Sequence, residues 1–245
     1  MPAAADPCRV PSAWPGHDPE AAPAFDPVEL PAKDLPAMSM TIDALIAARV
    51  VPVIRTKTTA HAATAVAWLR DAGMRVAEVT LTVPDAPALI RDLGAEYPDL
   101  LLGAGTVPDA AAARACIAAG ARFLVTPWVD PEVCAIARAA NVAMLAGAFT
   151  PTEVRAALAA GVDAVKIFPA STGGPAHLKA LVSVFPRVKF CPTGGVDARN
   201  IPDWIAAGAA FVGMGGRLVD EDAIARGDKH AVQAAALAAL GLEQA

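Results

Sequence analysis

Short apolar runs rich in β-branched residues recur along this chain at nearly constant spacing from residue 50 onward. Successive runs begin 20 to 26 residues apart, and each gap contains a stretch with helical character. This alternation predicts repeated βα units. We predict eight strands, at Val50 to Ile54, Val76 to Leu81, Leu100 to Ala104, Arg122 to Thr126, Val142 to Leu145, Ala164 to Phe168, Val188 to Cys191 and Ala210 to Met214.

The connections between the runs indicate how the strands are arranged. A glycine just past a helix end takes the left-handed conformation that turns the chain back toward a sheet, and four predicted helices end in an Ala-Gly step, at Gly73, Gly120, Gly161 and Gly208. Eight parallel strands with helical crossovers predict an α/β fold of the closed (β/α)8 TIM barrel type. An open doubly wound sheet is the alternative, although no G-x-G-x-x-G follows the first strand. Pro52 and Pro192 cannot donate to a ladder, so each is expected near a strand boundary.

The first 38 residues differ from the rest of the chain. They hold nine of the 22 prolines, which predicts an extended proline-rich N-terminal arm preceding a barrel domain at residues 39–245. Trp14 and Phe25 offer the alternative that the arm docks onto the body or onto a neighbouring subunit. Thr41 is expected to cap a short helix from Ile42 to Ala48.

Charge and composition exclude several classes of function. The chain carries 20 basic and 25 acidic residues, a formal net charge of -5, and no basic cluster, which argues against nucleic acid as a partner. No apolar stretch is long enough to span a membrane and no secretory signal is apparent, so we expect a cytoplasmic protein. The four cysteines form no C-x-x-C, so they predict free thiols and no metal site.

Lys166 indicates chemistry because it interrupts the apolar sixth strand. Alternation places it on the same face as Ala164 and Phe168, the face that points into the barrel. Burial lowers the pKa of an ammonium group, and a neutral amine condenses with a ketone to form an iminium. The alternatives are a lysine that reaches out of the barrel mouth, or one that pairs with an acid for structural reasons.

Glu78 is a second ionisable residue that is expected to point inward. It shares one face of the second strand with Thr80 and Thr82. A carboxylate near an iminium can move protons to and from the carbinolamine, the substrate hydroxyl and the enamine carbon. Lysine with glutamate is the minimum set for aldol chemistry. The alternative is that Glu78 only neutralises Lys166 as a buried pair.

Glycine-rich turns follow the last two predicted strands. The first contains Gly194 and Gly195, and the second contains Gly215 and Gly216. Barrels commonly bind phosphate in these two loops, and glycines let main-chain amides approach an oxyanion closely. The pair of turns therefore predicts a phosphate site.

Three further residues are candidates for the same mouth. Arg55 ends the first strand and is a candidate partner for a substrate carboxylate, or else a surface charge. Thr106 and Pro127 close the third and fourth strands. They either line the site or serve only as a helix cap and a turn residue.

The order and spacing of five motifs resemble those of the 2-keto-3-deoxy-6-phosphogluconate (KDPG) aldolases, which often also act on 4-hydroxy-2-oxoglutarate (KHG). The similarity runs from about residue 41 to residue 240 and excludes the arm. The motifs are Glu78-Val-Thr-Leu, Gly103-Ala-Gly-Thr106, Thr126-Pro127, Val165-Lys166-Ile-Phe-Pro and Pro192-Thr-Gly-Gly-Val.

This resemblance implies a class I aldolase of the Entner-Doudoroff route that needs neither a metal nor another cofactor. Its keto-acid substrate would be cleaved to pyruvate and glyceraldehyde 3-phosphate. The resemblance implies that Lys166 forms the Schiff base with the C2 carbonyl and that Glu78 is the general acid and base. It also implies that Thr106, Phe168 and Thr193 contact the pyruvyl part, that the glycine turns bind the phosphate, and that the protein is a homotrimer.

The chain departs from the family pattern at two positions. Many members have an arginine where Thr82 stands, so carboxylate binding is expected to pass to Arg55 or to hydroxyls and amides. Many also have a serine where Gly216 stands, which leaves main-chain amides for the phosphate. The alternatives are therefore the phosphogalactonate epimer or KHG as substrate, a phosphosugar epimerase or isomerase on the same barrel, and a non-catalytic barrel.

Overall fold

The computed structural model describes residues 36–242, with an eight-stranded parallel sheet at the centre. Neighbouring strands pair in the order β7-β6-β5-β4-β3-β2-β1-β8. Two isolated bridges, Phe190 with Ala209 and Thr193 with Gly213, join the remaining seam. The predicted TIM barrel is therefore confirmed, and an open doubly wound sheet is wrong. The strands are β1 (Val50–Ile54), β2 (Val76–Thr80), β3 (Leu101–Gly105), β4 (Phe123–Val125), β5 (Ala143–Ala148), β6 (Ala164–Ile167), β7 (Phe190–Pro192) and β8 (Val212–Met214).

Helices surround the strands and alternate with them. The four Ala-Gly steps adopt the predicted conformation, because Gly73, Gly120, Gly161 and Gly208 all have positive φ, between 76° and 103°. None of the helices within residues 36–242 is long and apolar enough to cross a membrane. The helices are α1 (Pro36–Ala48), α2 (Thr59–Asp71), α3 (Ala86–Glu96), α4 (Ala110–Ala118), α5 (Pro131–Ala139), α6 (Pro151–Ala159), α7 (Ala170–Val184), α8 (Ile201–Ala206), α9 (Glu221–Ala225) and α10 (Lys229–Leu240).

The helix before β1 is longer than the sequence predicts. It begins at Pro36, which suits the first turn because proline lacks only an amide that would be unpaired there. Thr41 therefore lies inside α1, and the prediction that it caps the helix is wrong. Residues 1–35, with Trp14 and Phe25, lie outside the described residues, so the arm stays a prediction.

The two proline expectations have different outcomes. Pro192 is the last residue of β7, at a strand boundary as predicted. Pro52 lies in the middle of β1, opposite Met214 of β8. The ladder between β1 and β2 starts only at Val53, so the missing amide of Pro52 lies just before that ladder begins.

The barrel has two apolar layers that fix which strand positions face inward. Outward-facing residues such as Val165 and Ile167 pack against the helices. Inward-facing residues form a separate cluster with Ile42 and Leu45 of α1 and the Phe123 ring. The polar inward positions described next continue this inner set toward the carboxyl ends of the strands.

Candidate active site

Lys166 and Glu78 meet inside the barrel, although they come from opposite walls. Lys166 lies in β6 and Glu78 in β2, four strands apart in the sheet order. The Lys166 Nζ to Glu78 Oε1 distance is 3.9 Å, and each side chain is only 5% exposed. Both predicted inward orientations are present, and the lysine does not reach out of the mouth.

This ion pair is loose. Charge-assisted hydrogen bonds between nitrogen and a carboxylate are about 2.7–2.9 Å long, whereas this pair is separated by 3.9 Å. Glu78 Oε1 is buried and has no hydrogen-bond partner among the described residues. A buried acceptor without a partner is energetically unfavourable, so the arrangement is better suited to a substrate hydroxyl or proton than to a closed structural pair.

Glycines beside the pair provide its space. A Cβ at Gly105 of β3 would lie 2.6 Å from Glu78 Cδ and closer still to Oε1. Gly147 of β5 is the ladder partner of Lys166. A Cβ there would lie 2.7 Å from the Cα of Pro127. Both positions exclude any larger side chain, and Pro127 contacts the strand next to the lysine.

Phe168 covers the lysine from the mouth of the barrel. Its ring centroid lies 5.4 Å from Lys166 Nζ, within the range of a cation–π contact, and the residue is 40% exposed. A Cβ at Gly194 would be 3.6 Å from this ring. The first glycine turn therefore lies against the same aromatic side chain that contacts the amine.

Thr193 and Cys191 form the wall beside Lys166. Cys191 is the ladder partner of Lys166, and its Sγ lies 3.8 Å from the hydroxyl of Thr193. Burial raises the pKa of Cys191 to about 12, while the nearby Lys166 charge opposes that rise more weakly. Cys191 is therefore a protonated wall residue rather than a nucleophile. A Cβ at Gly213 would contact the buried Thr193 side chain, so this wall too depends on a glycine.

Arg55 and Thr106 are brought together across the mouth. Arg55 Nη2 donates to Thr106 Oγ1 at 3.1 Å, although 51 residues separate them in the sequence. Thr82 lies elsewhere at the rim, where its hydroxyl is 2.7 Å from that of Thr80. Thr80 in turn donates to the Ile54 carbonyl at 2.9 Å. Thr106 thus holds the arginine in place, while the Thr82 hydroxyl is hydrogen-bonded to a neighbouring threonine of its own segment.

The two glycine turns occupy different environments. The Gly194 carbonyl accepts a hydrogen bond from the Ser171 amide at 2.9 Å. A Cβ at Gly195 would lie 2.5 Å from Ser171 Cβ. A Cβ at Gly215 would lie 4.0 Å from the nearest atom, and a Cβ at Gly216 would extend into open space.

Ser171 is a residue that the sequence analysis missed. Its exposed hydroxyl stands beside the first glycine turn, 24 residues away in the sequence. The main-chain hydrogen bond to Gly194 and the closeness of Gly195 to the Ser171 side chain both show this proximity. The sequence signal that could have identified Ser171 is the pattern Ala-Ser-Thr-Gly-Gly, another glycine-containing stretch that follows a predicted strand.

Metal binding has no geometric support in the described part of the chain. Among residues 36–242, no three His, Cys, Asp or Glu side chains are grouped so as to hold a metal ion.

Comparisons with known proteins agree on one family. The family model for KDPG and KHG aldolases matches residues 42–235. The 2-dehydro-3-deoxy-phosphogluconate aldolase of Pseudomonas aeruginosa is 36% identical over 182 residues, which cover 74% of this chain and 83% of that protein. The KHG/KDPG aldolase of Escherichia coli is 34% identical over 180 residues, which cover 73% of this chain and 84% of that protein.

A solved structure extends the similarity to the fold. The KDPG aldolase of Legionella pneumophila, with pyruvate captured as a covalent carbinolamine intermediate, superposes with a TM-score of 0.75 at 34% identity. The match covers 81% of this chain and 97% of that one.

Proposed function

The chain belongs to the KDPG and KHG aldolase family, and from that premise we propose that it is a class I aldolase, a lyase that cleaves KDPG to pyruvate and glyceraldehyde 3-phosphate. One observation carries the proposal. A buried lysine amine and a buried carboxylate oxygen that has no hydrogen-bond partner among residues 36–242 lie 3.9 Å apart inside the barrel. That is the donor and acceptor set that imine chemistry requires.

Lys166 acts as the nucleophile in this mechanism. Its amine adds to the C2 carbonyl carbon of the keto acid to give a carbinolamine, and loss of water leaves an iminium. The 4-hydroxyl then loses its proton, the C3–C4 bond breaks, and its electron pair enters the iminium to form an enamine. Glyceraldehyde 3-phosphate leaves as the aldehyde. Protonation of the enamine at C3 and hydrolysis of the new iminium release pyruvate and restore the amine.

Glu78 moves the protons in these steps. Its Oε1 is close enough to Nζ to serve the carbinolamine and has no competing partner in the described chain. The carboxylate occupies the space beside Gly105 that a Cβ there would fill, so a larger side chain at this position would displace the oxygen from its place near the reacting atoms. Phe168 covers the amine on the mouth side and reduces its access to water.

Arg55 is the cation that replaces the arginine many family members have at the position of Thr82. Its guanidinium is held by Thr106 at the same mouth, with further donors available for a carboxylate. Thr193 offers a buried hydroxyl on the wall next to Lys166. We therefore assign the pyruvyl carboxylate to Arg55 with Thr106, and the carbonyl region to Thr193.

The phosphate is assigned to the amides of Gly194, Gly195, Gly215 and Gly216. The Ser171 hydroxyl beside Gly195 supplies a side-chain donor, which compensates for the serine that Gly216 replaces. Hydrogen bonds to a charged acceptor are stronger than neutral ones, so one hydroxyl is a meaningful addition to a set of amides.

Borohydride trapping tests the proposal. Incubation with pyruvate and borohydride should convert the iminium to a stable secondary amine at Lys166, located by peptide mass spectrometry. Lys166→Ala should abolish labelling and cleavage, and Glu78→Gln should slow cleavage by about 100-fold or more while pyruvate still labels. Lys179→Ala, an exposed lysine of α7, is the matched control and should label like the parent protein. Absence of any adduct would refute imine chemistry and favour the isomerase alternative.

Two finer features belong to the same proposal. A homotrimer, which the family resemblance supports, would have a mass of three times 24.9 kDa, about 75 kDa, by light scattering. A cytoplasmic location rests on the sequence, and cell fractionation tests it.

A further inference from the structure

A cavity of about 290 Å³ opens at the barrel mouth next to the Lys166 strand. Its lining includes Gly147, the ladder partner of Lys166, and Phe168, whose ring lies over the amine. Most of the other lining residues have apolar side chains, among them Pro127, Trp128 and Phe149, although exposed polar atoms also contribute to the wall. The cavity therefore adjoins the Lys166 strand, and the Phe168 ring borders both the cavity and the amine.

Trp128 presents an aromatic ring to this cavity from a fixed backbone. Its carbonyl accepts hydrogen bonds from Thr126 Oγ1 at 2.6 Å and from the Gly147 amide at 3.2 Å. The residue is nevertheless 46% exposed. Exposed aromatic surface in a concave site commonly marks a ligand contact.

Phe149, which also lines the cavity, is held in place as well. Phe149 stacks on His177 with ring centroids 4.4 Å apart, and its carbonyl lies 2.7 Å from His177 Nε2. Phe149 and Trp128 are thus two preorganised aromatic residues lining a space that is larger than the roughly 150 Å³ apolar cavity known to bind benzene.

The charges around the cavity disfavour a phosphate there. Within residues 36–242, no lysine or arginine lines the cavity, and the ionisable lining residue is Glu153. Its Oε2 already accepts from the amides of Phe149 and Thr150 and from the Thr150 hydroxyl. The lining therefore favours an uncharged group that presents a ring or an aliphatic surface to the aromatic side chains.

We propose that this cavity is an acceptor subsite for the apolar or aromatic group of a non-phosphorylated aldehyde, distinct from the glycine turns that take the phosphate. The inference rests on the proposed function, because the enamine formed from pyruvate at Lys166 attacks the aldehyde carbon. One C–C bond forms, the aldehyde oxygen takes a proton, and hydrolysis releases a 4-hydroxy-2-oxo acid with an apolar substituent at C4. Pyruvate and the aldehyde account for every atom of the product.

Benzaldehyde and glyoxylate are the probes that test this subsite. Both are combined with pyruvate, and the rate of formation of each 4-hydroxy-2-oxo acid is measured by chromatography. The decisive quantity is the ratio of kcat/KM for benzaldehyde to kcat/KM for glyoxylate. Trp128→Ala should lower this ratio at least about tenfold, because benzaldehyde loses its ring contact with Trp128 whereas glyoxylate has no ring to make that contact. Trp128→Phe should restore most of it. Val184→Ala, a truncation of another exposed apolar residue at the far end of α7, should not change it.

The outcomes separate this inference from the proposed function. If pyruvate and borohydride leave Lys166 unlabelled, both proposals fall. If Lys166 labels but Trp128→Ala leaves the ratio unchanged, the subsite alone is refuted. A third outcome is that Trp128→Ala lowers the mass of the oligomer, while the kcat/KM ratio is unchanged when variant and parent are compared in the same oligomeric state. This result would identify Trp128 as a contact between copies and would also refute the subsite.

Discussion

Replacement of Gly105 by alanine tests whether the position of the Glu78 carboxylate matters for catalysis. The new Cβ would lie 2.6 Å from Glu78 Cδ, whereas ordinary contact begins at 3.4 Å, so the carboxyl group must move by about 0.8 Å or more. A misplacement of about 1 Å can reduce a rate about 100-fold. We therefore expect kcat/KM for cleavage of KDPG to fall about 100-fold, which corresponds to about 2.7 kcal/mol of transition-state stabilisation.

The assay separates bond cleavage from imine formation. Pyruvate release is followed with a coupled dehydrogenase, and borohydride trapping with pyruvate reports whether the amine still reacts. The atoms nearest to the new methyl group all belong to Glu78, so the adduct should still form while cleavage slows. Normal adduct formation together with slow cleavage would place the defect in proton transfer rather than in imine formation.

Gly94→Ala is the matched control for a change of glycine to alanine. Gly94 is an exposed residue of α3, and its new Cβ would meet only Leu102 Cδ1 at 3.8 Å. It should leave kcat/KM unchanged and stabilise the fold by about 1 kcal/mol or less, because alanine is the better helix former. If folded Gly105→Ala cleaves KDPG at the parent rate, the carboxylate position is unimportant and Glu78 is a neutralising partner instead.

Three other changes have definite expected outcomes. The folded Cys191 thiol, with its pKa raised by burial from 9.0 to about 12, should resist iodoacetamide at pH 8 and react in urea. Because the thiol ionises at a lower pH in the unfolded chain than in the folded chain, the Cys191 contribution to stability should be intact below pH 9 and be lost between pH 9 and 12. Urea titrations of Cys191→Ala should therefore show a smaller decrease in the free energy of unfolding over this pH range. Glu153→Ala should cost about 1 kcal/mol at pH 7 because it removes a capping box. The Thr150 and Phe149 amides lower the pKa of Glu153, so this difference should disappear as the pH falls below the unfolded value of 4.5; a constant difference would contradict the assignment. Ser171→Ala should lower the ratio of kcat/KM for KDPG to that for KHG about tenfold, the effect of losing one hydrogen bond to a charged group, and an unchanged ratio would remove Ser171 from the phosphate site.

The sequence predicts the strands best where β-branched residues are dense. The limits of β1 match the prediction at both ends because Val50 to Ile54 is a continuous apolar run followed by the polar residues 55–58. The prediction for β5 stops at Leu145, whereas the strand continues to Ala148. Ala-Gly-Ala carries no strand preference of its own, and its pairing with β6 maintains it instead.

The catalytic pair was predictable because alternation along a strand fixes which side a residue faces. Lys166 and Glu78 each interrupt an apolar strand, so their inward direction follows from period two, and only their 3.9 Å separation required the structure. Trp128 lies in a loop and Ser171 in the first turn of α7, so strand alternation applies to neither. Their neighbours depend on the path of the main chain, so no sequence pattern connects Trp128 with Phe149 or Ser171 with Gly195.

The inner wall of the barrel explains how a polar site fits among closely packed strands. Toward the amino ends of the strands, large inward residues such as Phe123 fill the interior. Toward the carboxyl ends, Gly105, Gly147 and Gly213 occupy inward positions, and each is pressed by a neighbouring group that a Cβ would displace. The space freed by absent side chains is taken by Glu78, Pro127 and Thr193. The strand glycines therefore provide the space for the polar site, because they lack the side chains that would fill it. This space is why Lys166 can be buried without forming a close ion pair.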